Sequence, residues 1–199
     1  GNEALTLAAV LPAWRAFPWD PAARPGAPFS PQYVSPLQGS GRFDLAQGGR
    51  GPLVLYVGES AAHAVGEVMQ PFRGRTVGEA HLGRHGHLLA LVDVRLGAAD
   101  PDAAIADLTR PTVLDRLDLR PDVLASHDRR RTQGAARAVH AAGYAGLRWW
   151  SALTGEWHGV VLFLDRIEMA ALEYGAPEPV STSSLALREA ARLLGIRVR

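Results

Sequence analysis

The chain contains no cysteine and no lysine. The first absence excludes disulfides, thiolate metal sites and a cysteine nucleophile, and it fits a reducing compartment. The second leaves arginine as the whole basic complement, within 21 basic and 20 acidic residues and a formal net charge of +1. So even a balance gives no global electrostatic case for nucleic acid or an anionic membrane. Arginine still supplies forked donors suited to phosphates and carboxylates. No apolar run approaches the roughly 20 residues that span a bilayer. The opening GNEALTLAAVLPAW has no basic segment, so no signal peptide is expected and a soluble cytoplasmic protein is the default reading. The 199 residues are enough for one sizeable domain with its own core.

What is abundant is alanine, arginine, glycine and proline. Residues 18–52 are rich in proline and glycine, which predicts irregular backbone. They also hold Trp19, Phe29 and Tyr33, more aromatic content than a plain linker needs, and a long ordered loop is usually functional. Leu53–Val57 reads as a strand buried on both faces. A helix follows, with Ser60 as its cap and Ala61, Ala64, Val65, Val68 and Met69 on its core face. Glu67 falls on the other side, one turn from His63. His87–Leu96 is a second strand. Residues 101–125 read as short helices punctuated by Pro101, Pro111 and Pro121. RRRTQGAARAVHAAG is a helix ended by Gly143, GLRWWSA and HGVVLFLD are two strands, PEPVSTSS resembles a linker, and Leu185–Leu194 is an amphipathic helix. Without regular alternation of strands and helices, α+β is the expected class.

Several constellations carry chemistry on paper. Gly58-Glu59-Ser60-Ala61-Ala62 nearly matches the nucleophile elbow G-x-S-x-G, in the right strand–turn–helix context. Its last glycine is Ala62, however, and partners such as Asp128 and His140 can be nominated freely, so a helix cap is the stronger reading of Ser60. His81, His85 and His87 cluster between helix-breaking glycines without a recognisable ligand spacing, and are expected to be solvated loop residues with no metal. Arg129, Arg130 and Arg131 read as a solvated helix start, since a nucleic-acid patch would want more basic residues and interleaved aromatics. Arg42, Tyr56, Glu67 and Ser151 each have an ordinary structural reading when taken singly: loop charge, core residue, helix surface and strand-end turn.

Two blocks change that weighting. GSGRFD…GPLVLYVGESAAHAVGEVM resembles the opening of RES-domain proteins, named for an Arg, a Glu and a Ser. TQGAARAVHAAGYAGLRWWSA…GVVLF resembles the same family's second block, where a Thr-Gln helix leads through Gly to a strand ending in the Ser. Asp44 stands where Asn is usual, LAQGGRG lengthens the loop before the strand, and Ser151-Ala152 replaces Ser-Arg. The resemblance implies a compact single-domain α+β fold similar to ADP-ribosyltransferases. It places a catalytic domain over residues 12–175, followed by a linker and amphipathic helix over 176–199. It implies cleavage of NAD+ between nicotinamide and ribose, by hydrolysis or phosphorolysis, with transfer of ADP-ribose to a protein as the alternative. It also implies a toxin whose antitoxin covers the active site.

The chemistry agrees with those residue types. Cleavage develops oxocarbenium character at the anomeric carbon, as in glycoside hydrolysis. Glu67 can stabilise that charge, Tyr56 offers an aromatic face to nicotinamide, Arg42 and Arg15 can fork onto phosphates, and Ser151 can hold the ribose or the nicotinamide amide. NAD+ is then the substrate, and neither a further cofactor nor a metal is required. An esterase using Ser60 and a non-catalytic binding protein are the remaining classes. The antitoxin is expected at a mouth formed by residues 18–52, and the final helix, through Leu187, Ala190, Ala191 and Leu194, either packs on its own domain or forms a homodimer.

Overall fold

Short apolar runs in the middle of the chain assemble into one mixed sheet. The computed structural model describes residues 4–199. In chain order the elements are β1 Leu5–Thr6, α1 Leu7–Val10, β2 Ala13–Trp19, β3 Val54–Gly58, α2 Ala61–Met69, β4 Thr76–Val77, β5 Gly83–Arg84, β6 His87–Arg95 and β7 Ala104–Asp107. There follow α3 Pro111–Arg116, α4 Pro121–Ala125, α5 Arg129–Ala141, β8 Gly146–Trp150, β9 His158–Phe163, β10 Glu173–Tyr174, β11 Glu178–Pro179, α6 Leu185–Leu194 and β12 Arg197–Val198. The strand order is β1-β7-β8-β9-β3-β2-β6-β10, with β5 and β11 also joined to β6. Within this sheet β7 and β8 run parallel, while β4 and β12 make a separate parallel pair. The expected α+β class is found.

One face of the sheet carries two helical packs. At one end Val113, Leu114, Leu124, Ala135, Ala136 and Val139 of α3–α5 cover Leu147, Trp149, Val161 and Phe163. At the other, α2 and α6 cover Leu89 and Leu91 of β6, with Trp14 and Ala16 of β2 against them. The cleft described below opens between the packs, over the middle strand β3. On the opposite face, Leu55, Val57, Val94, Val160 and Leu162 meet α1. Arg148 emerges on that opposite face, since it alternates with Leu147 and Trp149. It binds both oxygens of Glu59 and donates to Asp107 over 3.2 Å. That ties the end of β3, from which α2 departs, to β7 and β8.

Several elements differ from the sequence expectation. β2 was not foreseen, although it pairs with β6 over seven residues from Ala13↔Val94 to Trp19↔Leu88. Its other edge meets β3 only at Trp14↔Gly58, so the missing donor of Pro18 breaks no ladder there. The helical reading of 101–125 holds for α3 and α4 but misses β7, a four-residue strand held by its parallel partner rather than by a pattern of its own. The PEPVSTSS stretch is not a free linker: Glu178 and Pro179 pair with Leu91 and Ala90. The final helix buries Leu187, Ala190, Ala191 and Leu194 within its own domain, so that face is not available for a homodimer. No helix among the described residues is long and apolar enough to cross a membrane.

Residues 20–53 are irregular, as expected, but they are organised. The lengthened LAQGGRG segment folds back on itself, with paired backbone bonds between Gln47 and Arg50. Gly48 and Gly49 supply the positive φ values of 57° and 74° that a two-residue turn of this hand requires. Trp19, Phe29 and Tyr33 are half-buried rather than displayed. Phe29 lies against His87 with ring centroids 4.1 Å apart, and Trp19 packs on the Phe17 cluster. The exposed apolar side chain of this loop is Leu37, 84% accessible.

Candidate active site

The cleft between the two helical packs has a volume of about 510 Å³, within the range of small-molecule sites. Its floor is the middle of the sheet, with Trp14, Tyr56, Gly58, Trp149 and Gly159. One wall is α2, with His63, Ala64, Glu67 and Val68. The other is the loop from Val34 to Arg42 together with His127 and Arg129. Arg42, Tyr56 and Glu67 therefore border one cavity although they come from a loop, a strand and a helix.

Helix α2 begins at once after β3 because Ser60 caps it, accepting from the His63 backbone N–H at 3.1 Å. The nominated partners of an esterase are elsewhere: Asp128 caps α5, and His140 pairs with Asp165 at 2.8 Å. Two turns on, Glu67 points to the cleft with its side chain 47% exposed. Ser151 is buried at the end of β8 and donates from Oγ to Glu67 Oε1 at 3.0 Å. Its Oγ in turn accepts from Leu153 N at 3.1 Å. A second donor reaches the same Glu67 oxygen, His63 Nε2 at 3.0 Å. His63 was expected on a polar helix face, and it is instead 2% exposed. The helix is enclosed by β2, β6, α6 and Trp157, so the apolar stripe alone underestimates what it buries.

The loop carrying Arg42 is held by a set of side-chain clasps. Asp44 Oδ2 accepts from the Gly39 and Gly41 N–H groups, both at 2.7 Å, and Oδ1 accepts from the Tyr56 hydroxyl at 2.8 Å. Three donors on one buried side chain suit a carboxylate. Tyr56 Oη also accepts from Phe43 N at 2.9 Å. A Cβ on Gly41 would sit 2.3 Å from Asp44 Oδ1 and 2.6 Å from Tyr56 Oη, so this close approach requires glycine. Gln133 of α5 donates to the Gly39 and Gly41 carbonyls, each at 2.9 Å. Gln38 makes paired bonds to the Val54 backbone at 2.7 and 2.8 Å. The Gln of the second block thus locks the loop of the first.

Burial raises the Tyr56 phenol far above its ordinary range, and Asp44 adds to it. This hydroxyl stays protonated and committed to the loop, leaving the ring as its contribution to the cleft. Burial lowers the Arg42 guanidinium, and Arg129 lowers it further, while Glu67 and Tyr56 oppose the shift. Arg42 donates to the Leu124 carbonyl, its Nε is buried without a partner, and it lies 5.7 Å from the Phe43 ring centroid.

Arg15 also borders the cleft. Burial lowers its pKa, and the side chain donates to the carbonyls of Pro31 and Tyr33, which fastens the loop. Arg129, Arg130 and Arg131 are exposed at the start of α5, as the reading of a solvated helix start expects, and Arg129 in addition borders the cleft beside Arg42. Arg131 of the same run pairs with Asp122 at 2.9 Å. His81 and His87 are not free loop residues either: His81 Nδ1 accepts from Gly78 N at 3.0 Å, and His87 lies on Phe29. No group of three His, Asp or Glu side chains among the described residues could hold a metal ion. Of the residues sequence reasoning missed, His63 had a signal, four positions before Glu67 on one helix. The clasping role of Gln133 and the orientation of Arg129 had none, because both depend on where α5 docks.

Among curated proteins none matches the chain. Among solved structures, a chain in the crystal structure of the M. tuberculosis MbcT–MbcA toxin–antitoxin complex matches with a TM-score of 0.60 at 16% identity. The match covers 92% of this chain and 88% of that one, and at such identity it shows a shared fold. The RES domain family model matches residues 12–185, a span containing β2, the clasped loop, the Glu67 helix and the Ser151 strand. The chain belongs to the RES-domain family.

Proposed function

We propose that this protein cleaves NAD+ at the nicotinamide–ribose bond and acts as the toxin of a toxin–antitoxin pair. The observation that carries the reading is Glu67, bonded from behind by the buried Ser151, in one cleft with Arg42 and Arg129. Two guanidinium groups border the cavity close enough to depress Arg42, an arrangement that suits the pyrophosphate of a dinucleotide. Tyr56 and Trp149, edge to face with centroids 6.4 Å apart, furnish aromatic surface for a planar ring.

Glu67 Oε1 is occupied by two donors, which leaves Oε2 for the ribose. As the bond to nicotinamide lengthens, positive charge grows on the anomeric carbon and the ring oxygen. A carboxylate held in place stabilises that charge without reorganising. The leaving group departs as neutral nicotinamide, so it needs no general acid. Ser151 keeps the carboxylate aimed. The structural relative belongs to a toxin–antitoxin complex, which supports a toxin role and a protein inhibitor here. Leu37, exposed on the loop that borders the cleft, offers apolar surface for such a partner.

The test is to incubate the partner-free chain with NAD+, with and without inorganic phosphate, and to identify the products by mass. Free nicotinamide is expected with ADP-ribose, with its 1-phosphate, or with an ADP-ribosylated protein, and the mass names the acceptor. Unchanged NAD+ after prolonged incubation of folded protein overturns the proposal.

A further inference from the structure

Histidine is a costly residue to bury, and His63 is buried in a place that an apolar side chain would fill without penalty. Its surroundings are tight on all sides. The ring stacks on Trp157 with centroids 5.3 Å apart and planes 27° apart. Nδ1 faces Gly58, where a Cβ would approach to 3.0 Å, and this nitrogen has no hydrogen-bond partner. The single side-chain hydrogen bond of the imidazole is from Nε2 to Glu67 Oε1 at 3.0 Å. Packing explains why a flat ring fits. It does not explain a ring whose one satisfied polar atom meets the carboxylate of the cleft.

We infer that His63 is a positioning residue for Glu67: its Nε2–H and the Ser151 hydroxyl both bind Oε1, fix the carboxylate rotamer and leave Oε2 to the substrate. The inference rests on the reading of Glu67 as the catalytic carboxylate. The fold sets the two donors together. Ser60 caps α2 through the His63 backbone N–H, which fixes the start of the helix. The turn between β8 and β9 is closed by Ser151 N donating to the Trp157 carbonyl at 2.8 Å. One turn therefore delivers both Ser151 and the ring that His63 stacks on. Glu67 is about half exposed, and a side chain so open samples other rotamers unless it is held. Two donors on one oxygen restrain it before substrate arrives, which is what preorganisation requires.

The experiment compares wild-type protein, Glu67→Gln, His63→Met, His63→Phe and His63→Gln in steady-state NAD+ cleavage, with circular dichroism and melting as checks of folding. Methionine and phenylalanine fill the space and donate nothing. Glutamine carries an amide N–H to about the reach of Nε2. Loss of the donor is expected to lower kcat by roughly tenfold or more and to leave KM nearly unchanged, because the arginines and aromatic rings are untouched. His63→Gln is expected to recover much of the lost kcat. A purely structural histidine would shift melting and leave kcat per folded molecule alone. Unchanged kcat in folded His63→Met or His63→Phe, or a His63→Gln no better than His63→Met, overturns the inference. Should His63→Phe not fold, the comparison of His63→Gln with His63→Met decides. Full activity in Glu67→Gln, by contrast, overturns the underlying reading of the site and is seen separately.

Discussion

Replacing Gln133 by leucine removes two hydrogen bonds and little else. The side chain is 7% exposed, lies on the inner face of α5, and spends its amide on the carbonyls of Gly39 and Gly41. A neutral hydrogen bond contributes about 0.5–1.5 kcal/mol net, so the pair contributes about 1–3 kcal/mol. For a chain of this size a loss of 1 kcal/mol lowers Tm by about 2–4 °C, so a fall of about 2–12 °C is expected. The functional effect is more specific. Asp44 and Gln38 still grip the loop, so it stays folded, but the segment that aims Arg42 loses its tie to α5. KM for NAD+ is expected to rise while kcat changes little, since Glu67 and Ser151 sit on other elements. Gln133→Glu should be worse than leucine, because a carboxylate would face two carbonyl oxygens. Thermal melting and steady-state kinetics of the two variants measure both effects. Unchanged melting together with unchanged KM in Gln133→Leu would refute the idea that α5 holds the Arg42 loop.

Other expectations follow from the same geometry. Ser60→Ala loses a helix cap, about 1 kcal/mol, and retains NAD+ cleavage; loss of activity at unchanged stability would restore Ser60 as a nucleophile. Arg42→Ala and Arg129→Ala each weaken NAD+ binding, by about ten- to a hundredfold if a charge-assisted bond is lost, and a titration that finds normal affinity in folded protein removes the arginine concerned from the pyrophosphate site. Expression of the wild-type chain alone in a bacterium arrests growth with falling cellular NAD+, whereas Glu67→Gln does not; equal growth of the two cultures with steady NAD+ counts against the toxin role.

The part of the fold that was readable is the part governed by local pattern. β3, α2, α5 and α6 follow from apolar periodicity, and Ser60 reads as a cap because a strand ends and a helix begins around it. β2 was invisible because Arg15 and Pro18 interrupt its alternation, and it is a strand only because β6 lies beside it. β7 is too short to show any period. In the site, Glu67 and Ser151 were nominated by the resemblance to RES-domain proteins, since taken singly one read as helix surface and the other as a strand-end turn. Their meeting, with Ser151 Oγ 3.0 Å from Glu67, is tertiary. The same holds for Arg15 and Arg129. Arg15 looked suited to phosphate and Arg129 to solvent, yet both border the cleft. Of the aromatic residues that looked like interface anchors, Phe29 lies against His87 of β6 and Trp19 is part of β2 itself.

The most direct measurement of the central claim is the rate of nicotinamide release from NAD+ by purified wild-type and Glu67→Gln proteins, side by side, with their folds compared by circular dichroism. Removing one preorganised electrostatic group typically lowers a rate by about 10²–10³, and a loss of that size with an intact fold is the predicted result. Near wild-type release by a folded Glu67→Gln protein would contradict the account.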